Sequence, residues 1–96
     1  MVSFSEFEND ALKLGYDEVT ERSWEAHLEL GSHTHPFAAK AIVVRGEMWL
    51  TVDAKTRHLR PGDTFELASN VPHSERYGGE GATYWVARRH GASTAG

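Results

Sequence analysis

From Val19 onward, β-branched, aromatic and aliphatic residues come in short runs, and turn-forming residues separate them: Gly31, Gly46, Asp53-Ala54, Pro61-Gly62-Asp63 and Gly78-Gly79-Glu80-Gly81. That punctuation constrains the fold more than any other feature, because regularly spaced short runs suit an all-β sandwich or barrel. The strands it predicts are 19–30, 32–36, 39–45, 47–53, 55–60, 63–67, 73–77 and 82–89. Eight short strands are enough for a jelly roll. Ahead of them, Phe4, Phe7, Ala11 and Leu14 recur at three- and four-residue steps, with Ser3 before and Gly15 after, which predicts a short amphipathic helix.

A chain of 96 residues can hold one hydrophobic core and not two. The organisation expected is an N-terminal helical extension over 1–18, a β-barrel over 19–90 and a flexible tail over 91–96, where no large apolar side chain occurs. The formal charge of −4 gives no electrostatic reason to expect nucleic acid or an anionic membrane as a partner. No stretch approaches the roughly 20 apolar residues of a membrane span. The acidic start Met1-Val2-Ser3-Phe4-Ser5-Glu6 lacks the basic and apolar regions of a secretory signal, so a cytoplasmic location is expected.

There is no cysteine, which removes disulfides, iron–sulfur clusters and thiolate nucleophiles. Any metal must then be held by His, Asp or Glu. His33 and His35 are two apart, so on a strand both imidazoles leave the same face. Such a pair also arises on exposed strands that only titrate, and the pair alone favours that plain reading. The segment from Pro61 to His73 adds a third imidazole in a defined setting. Pro61-Gly62-Asp63 makes a turn, Thr64-Phe65-Glu66-Leu67 crosses the sheet, and Asn70-Val71-Pro72 turns again before His73. Pro61 presets φ, while Gly62 and Asn70 tolerate the left-handed region.

Over residues 30 to 77 the sequence resembles the cupin superfamily. The first motif of that family reads HxH(x)3-4E(x)6G, and here His33-Thr34-His35 is followed at those spacings by Ala39 and Gly46. The second reads G(x)5PxG(x)2H(x)3N, and Gly62, Ala68, Asn70, His73 and Tyr77 stand at its positions. The resemblance implies a double-stranded β-helix, that is, a jelly-roll barrel with the short helix in front. It also implies that His33, His35 and His73 bind one divalent transition metal ion, with iron, zinc, nickel, copper or manganese as candidates. The family's usual glutamate ligand is replaced by Ala39, beside Lys40. The first motif's leading glycine, six residues before His33, falls at His27, and the second motif's closing asparagine at Tyr77. Six extended residues would place His27 about 20 Å from His33, so His27 is left out of the site. Three neutral imidazoles would leave the ion its full charge and favour anionic ligands. Within cupins, such a set resembles the three-histidine iron sites of cysteine dioxygenase and some diketone-cleaving dioxygenases.

Tyr77 is the one candidate catalytic residue, because an even step of four from His73 returns it to the same strand face. Trp24, Phe37, Trp49, Tyr84 and Trp85 are expected in the core rather than around a ligand. Arg45 and Lys40 are expected to face solvent despite their capacity to hold a carboxylate. His58 and His90 are read as surface residues, and Glu47 as exposed.

Two functions compete. In the first, a small organic acid, sugar acid or diketone chelates the ion and undergoes isomerisation, elimination or oxygen insertion, so that an enzyme would be a dioxygenase, isomerase or lyase. In the second, the barrel binds a small-molecule ligand without turnover and acts through a protein partner, since no DNA-binding helix pair is attached. A structural dimer with a vestigial site is a third possibility. A homodimer is expected, because pairing covers strand edges and apolar surface that a chain this small exposes.

Overall fold

The computed structural model describes residues 2–90. The expected tail over 91–96 lies outside the described residues. The chain forms one helix, α1 (Phe4–Lys13), and six strands: β1 (Glu18–Trp24), β2 (Glu29–His33), β3 (Ala38–Val52), β4 (Lys55–Leu59), β5 (Thr64–Leu67) and β6 (His73–Arg89). The all-β fold with a short N-terminal helix is the one expected. Ser3 caps α1 through a reciprocal pair: its hydroxyl accepts from the Glu6 amide, and the Glu6 carboxylate accepts from the Ser3 amide.

The eight short runs of the sequence become six strands through one break, two joins and the loss of the run expected over 32–36, of which only residues 32 and 33 are in a strand, at the end of β2. The run expected over 19–30 breaks at the Glu25–Leu28 turn, where His27 takes φ 62°. The runs over 39–45 and 47–53 join into β3, and those over 73–77 and 82–89 join into β6. Each long strand still bends, since the β3–β6 register shifts between Val43 and Arg45 and again between Gly46 and Met48. Two sheet halves result. The first half of β3 pairs with β5 and with the second half of β6, which also carries β1. The second half of β3 pairs with β4 and with the first half of β6, which also carries β2.

Alternation along these strands sends one set of side chains between the halves. Ala41, Val43, Met48, Leu50, Leu59, Phe65, Tyr77 and Tyr84 form the buried core there. A second cluster lies outside the barrel, where Phe7 and Ala11 of α1 cover Ile42 and Ala87. Trp85 belongs to this outer cluster, edge-on to Phe4 at 5.4 Å, and so is not barrel core. Trp49 also departs from expectation. It stands on the outer face, stacked on His58 at 4.5 Å and covered by the Arg76 guanidinium at 4.1 Å. Among the described residues no helix is long and apolar enough to cross a membrane.

Candidate metal centre

His33 ends β2 and pairs directly with His73, the first residue of β6. The register explains how they meet. Leu30 pairs with Glu75, so an unbroken ladder would set residue 32 opposite His73, and a bulge at Gly31-Ser32 brings His33 there instead. His35 does not lie on a strand as expected, because β2 has already ended. It is held by a different device: the Asn70 amide donates to the His35 carbonyl at 2.7 Å, tying its segment to the turn before His73. Asn70 takes φ 63° and Gly62 φ 97°, the left-handed conformations their residue types allow.

The three imidazoles converge. One ligand nitrogen from each of His33, His35 and His73 lies within 4.8 Å of the others. The ring centroids of His33 and His73 are 4.3 Å apart, those of His33 and His35 4.9 Å. Nδ1 of His33 lies 2.7 Å from the Gly31 carbonyl and Nδ1 of His73 2.9 Å from the Val71 carbonyl. A carbonyl only accepts, so both Nδ1 atoms carry a proton, and in the neutral rings that ligation requires both Nε2 lone pairs face the cluster. Nε2 of His73 is buried and has no hydrogen-bond partner among the described residues. An orphaned buried nitrogen is costly unless something occupies its lone pair, and this fits a cation better than an empty cavity. Burial, followed by the neighbouring His73 and His33, pushes the His35 pKa down and favours the neutral ring that ligation requires.

Of the residues beneath the cluster, the sequence singled out Tyr77 and not Glu75. Glu75 is buried, and its Oε2 lies 3.4 Å from Nε2 of His33 and 3.6 Å from Nε2 of His73. Its other oxygen accepts from the Tyr77 hydroxyl. Tyr77 therefore shares the face of His73, as the even step predicts, and meets the cluster through Glu75. Burial above all, then Tyr84 and the Glu75 charge, raise the Tyr77 pKa and keep its phenol protonated. The Tyr77 ring stacks on Trp24 at 5.7 Å, and the Trp24 indole donates to the Tyr84 hydroxyl at 3.0 Å. The signal for Glu75 was the same alternation that selected Tyr77, since residues 73, 75 and 77 share one strand face.

Above the cluster a cavity of about 100 Å³ opens, lined by the three histidines, Glu75, apolar side chains such as Phe37 and Phe65, and two cations, Arg22 and Arg88. The Arg22 guanidinium lies over Trp24 at 4.7 Å and that of Arg88 over Phe37 at 4.9 Å. Nε of Arg88 is buried without a hydrogen-bond partner among the described residues. Ala39 lines the same cavity, so a methyl stands where the first motif usually supplies a carboxylate.

The other residues considered lie elsewhere. Arg45 donates to Thr83 at 3.3 Å. His58 accompanies Glu47 at 2.6 Å, and His90 accompanies Glu18 at 2.8 Å. His27 is exposed beside Gly79 and takes no part in the cluster.

A jelly-roll-like sheet that gathers three histidines from two separated motifs defines a cupin. Residues 23–87 match the Cupin domain family, and the chain belongs to it. Among curated proteins it is similar to an uncharacterized HTH-type transcriptional regulator of Haemophilus influenzae, 45% identical over 49 residues that make up 48% of this chain and 16% of that protein. Among solved structures it is similar to a chain in the crystal structures of the DMSP lyases RdDddP and RnDddQII, with a TM-score of 0.71 and 28% identity over 81% of this chain and 40% of that one. The DMSP lyase DddQ of Ruegeria pomeroyi DSS-3 gives a TM-score of 0.70 at 24% identity over 77% of this chain and 38% of that one. The chain thus spans less than half the length of each of these relatives.

Proposed function

We propose that this protein is a metal-dependent cupin in which His33, His35 and His73 hold one divalent transition metal, and that it acts as a lyase on a small organic acid. The observation that carries the metal is the convergence of three imidazoles, two with their Nε2 lone pairs fixed inward, around a buried nitrogen with no partner. Imidazole donors suit iron, zinc, nickel, copper or manganese rather than magnesium or calcium. Bound there, such an ion supplies Lewis-acid polarisation of a carbonyl or carboxyl oxygen.

The cavity supports the substrate class. At about 100 Å³ it is smaller than the 300–1,000 Å³ of sites for drug-sized ligands, which favours a small acid over a sugar acid. Arg22 and Arg88 are its cationic walls and would hold a carboxylate. Phe37, Phe65 and their apolar neighbours exclude water around the bound molecule. The buried Tyr77 phenol, kept protonated, orients Glu75 beneath the ion site. Among isomerisation, elimination and oxygen insertion, the likeness to the DMSP lyases favours elimination.

The first test is elemental analysis by plasma mass spectrometry on untagged protein beside His73→Ala. Near-stoichiometric metal that disappears in the variant supports the site, and loaded protein is then assayed with DMSP and other small organic acids. Metal equal to background in both, even after reconstitution, would overturn it.

The likeness to an HTH-type regulator favours a second reading, a ligand-binding module that signals through another protein or domain. Ligand-dependent stabilisation without turnover distinguishes it from the lyase. In both readings the chain acts in the cytoplasm as a homodimer, and light scattering showing only a 10.7 kDa species at micromolar concentration would exclude the dimer.

A further inference from the structure

We propose that Glu75 is the fourth protein ligand of the site, so that the carboxylate missing from β3 at Ala39 is supplied from β6. The inference rests on the three-histidine reading above and extends it.

Three observations support it. First, the protons of both Nδ1 atoms are committed to the Gly31 and Val71 carbonyls, so the Nε2 atoms of His33 and His73 face Glu75 with lone pairs. With neutral rings, acceptors then face an acceptor, an arrangement that repels unless a cation lies among them, and the gaps are too long for a proton shared in an ordinary hydrogen bond. Second, the spacing suits such a cation. Two donors each about 2.1 Å from one ion at a tetrahedral angle stand about 3.4 Å apart. The Glu75 oxygen lies 3.4 Å and 3.6 Å from the two Nε2 atoms, beyond an ordinary hydrogen bond. Third, Glu75 is only 8% exposed, and Tyr77 satisfies only its other oxygen. A buried carboxylate is retained where it is paired or coordinates a metal.

Ala39 lines the same cavity with a methyl in place of a carboxylate, which leaves room there for what the ion binds. One negative ligand also halves the charge of a divalent ion, leaving Arg22 and Arg88 a larger share in attracting an anion. Three imidazoles and one carboxylate are donors that zinc or cobalt(II) accepts, and expansion from four ligands to five would admit a substrate oxygen.

The test is a cobalt(II) titration of the untagged full chain, read by visible absorbance, with zinc competition for affinity. Wild type, Glu75→Gln and His73→Ala are compared, with circular dichroism to show that each is folded. Wild type is expected to give the intense bands of a four-coordinate site. Glu75→Gln is expected to bind more weakly with displaced bands, because a charged oxygen donor has left the ion, and His73→Ala to lose the bands. Should Glu75→Gln fail to fold, zinc is added to wild type carrying carbon-13 in its glutamate side chains, where the Glu75 carboxyl resonance is expected to shift. An unchanged spectrum and affinity in folded Glu75→Gln, or an unmoved Glu75 resonance in zinc-loaded wild type, would overturn the assignment and leave the three-histidine site intact. Failure of wild type itself to bind either metal would overturn both.

Discussion

The Tyr77 hydroxyl donates to a Glu75 oxygen two residues back along β6, in the floor of the histidine cluster and away from solvent. Phe at position 77 would keep the stack on Trp24 and remove only the donor, leaving one carboxylate oxygen buried without its partner. Tyr77→Phe is expected to cost about 1–3 kcal/mol. Urea denaturation checks this: the midpoint should fall while the slope stays constant, because the surface exposed on unfolding is unchanged. An unmoved midpoint would mean that water or a rotated Glu75 replaces the phenol at no cost.

The same burial makes the fold sensitive to alkali. Tyr77 and Tyr84 both have pKa values raised primarily by burial. In the unfolded chain a phenol ionises near pH 10. Above that pH the unfolded state binds fewer protons than the native state, so stability is fully present below about pH 10 and declines as pH rises. In a Tyr16→Phe background, phenolate absorbance from the two buried rings should appear together with loss of β-sheet circular dichroism. Phenolate formed while the sheet signal remains native would contradict the burial argument.

Metal should contribute to stability in proportion to its binding. At free zinc about a hundred times its Kd, linkage adds about 2.7 kcal/mol, which for a domain this small is a rise in Tm of roughly 10–20 °C. Thermal melting with zinc and then with excess EDTA should show that rise and its reversal in wild type. His73→Ala should show neither. An equal rise in both proteins would place the stabilising metal elsewhere.

Much of this was legible in the residues because local chemistry and tertiary structure agree. Ser3 and Glu6 cap the helix, Asn70 and Gly62 take left-handed turns, and His33, His35 and His73 meet at the spacings that two separated motifs imply. What was hidden depends on long-range packing. Strand periodicity puts Trp49 and Trp85 on one face or the other, and only the position of α1 and the ladder of His58, Trp49 and Arg76 shows that both lie outside the barrel. His35 reaches the site from beyond its strand, through a backbone hydrogen bond that no residue pattern encodes. Glu75 was accessible to the alternation that selected Tyr77. It was overlooked because the family pattern places its carboxylate at the position of Ala39.

Gly46 closes the first motif, and the structure gives its physical reason. It takes φ 74° at the bend of β3, against the bend of β6, and a Cβ there would lie 2.1 Å from the Gly81 carbonyl oxygen and 2.8 Å from the Ala82 Cα. Those neighbours are backbone, so neither can swing aside without shifting the ladder that carries both sheet halves. Gly62 also has positive φ, at 97°, but a Cβ there would meet open space. Comparing the two alanine variants separates backbone strain from steric exclusion. Gly62→Ala should cost about 1–2 kcal/mol, the left-handed penalty alone. Gly46→Ala should cost that and the clash, about 3 kcal/mol or more, and also weaken zinc binding, since the bend sets the position of the β6 half that carries His73 and Glu75. Urea midpoints for the pair, read beside zinc affinity, decide the matter. Equal costs with unchanged affinity would show that the bend yields freely, and that the metal site is held by β2 and the Asn70 contact rather than by the crossing of β3 and β6.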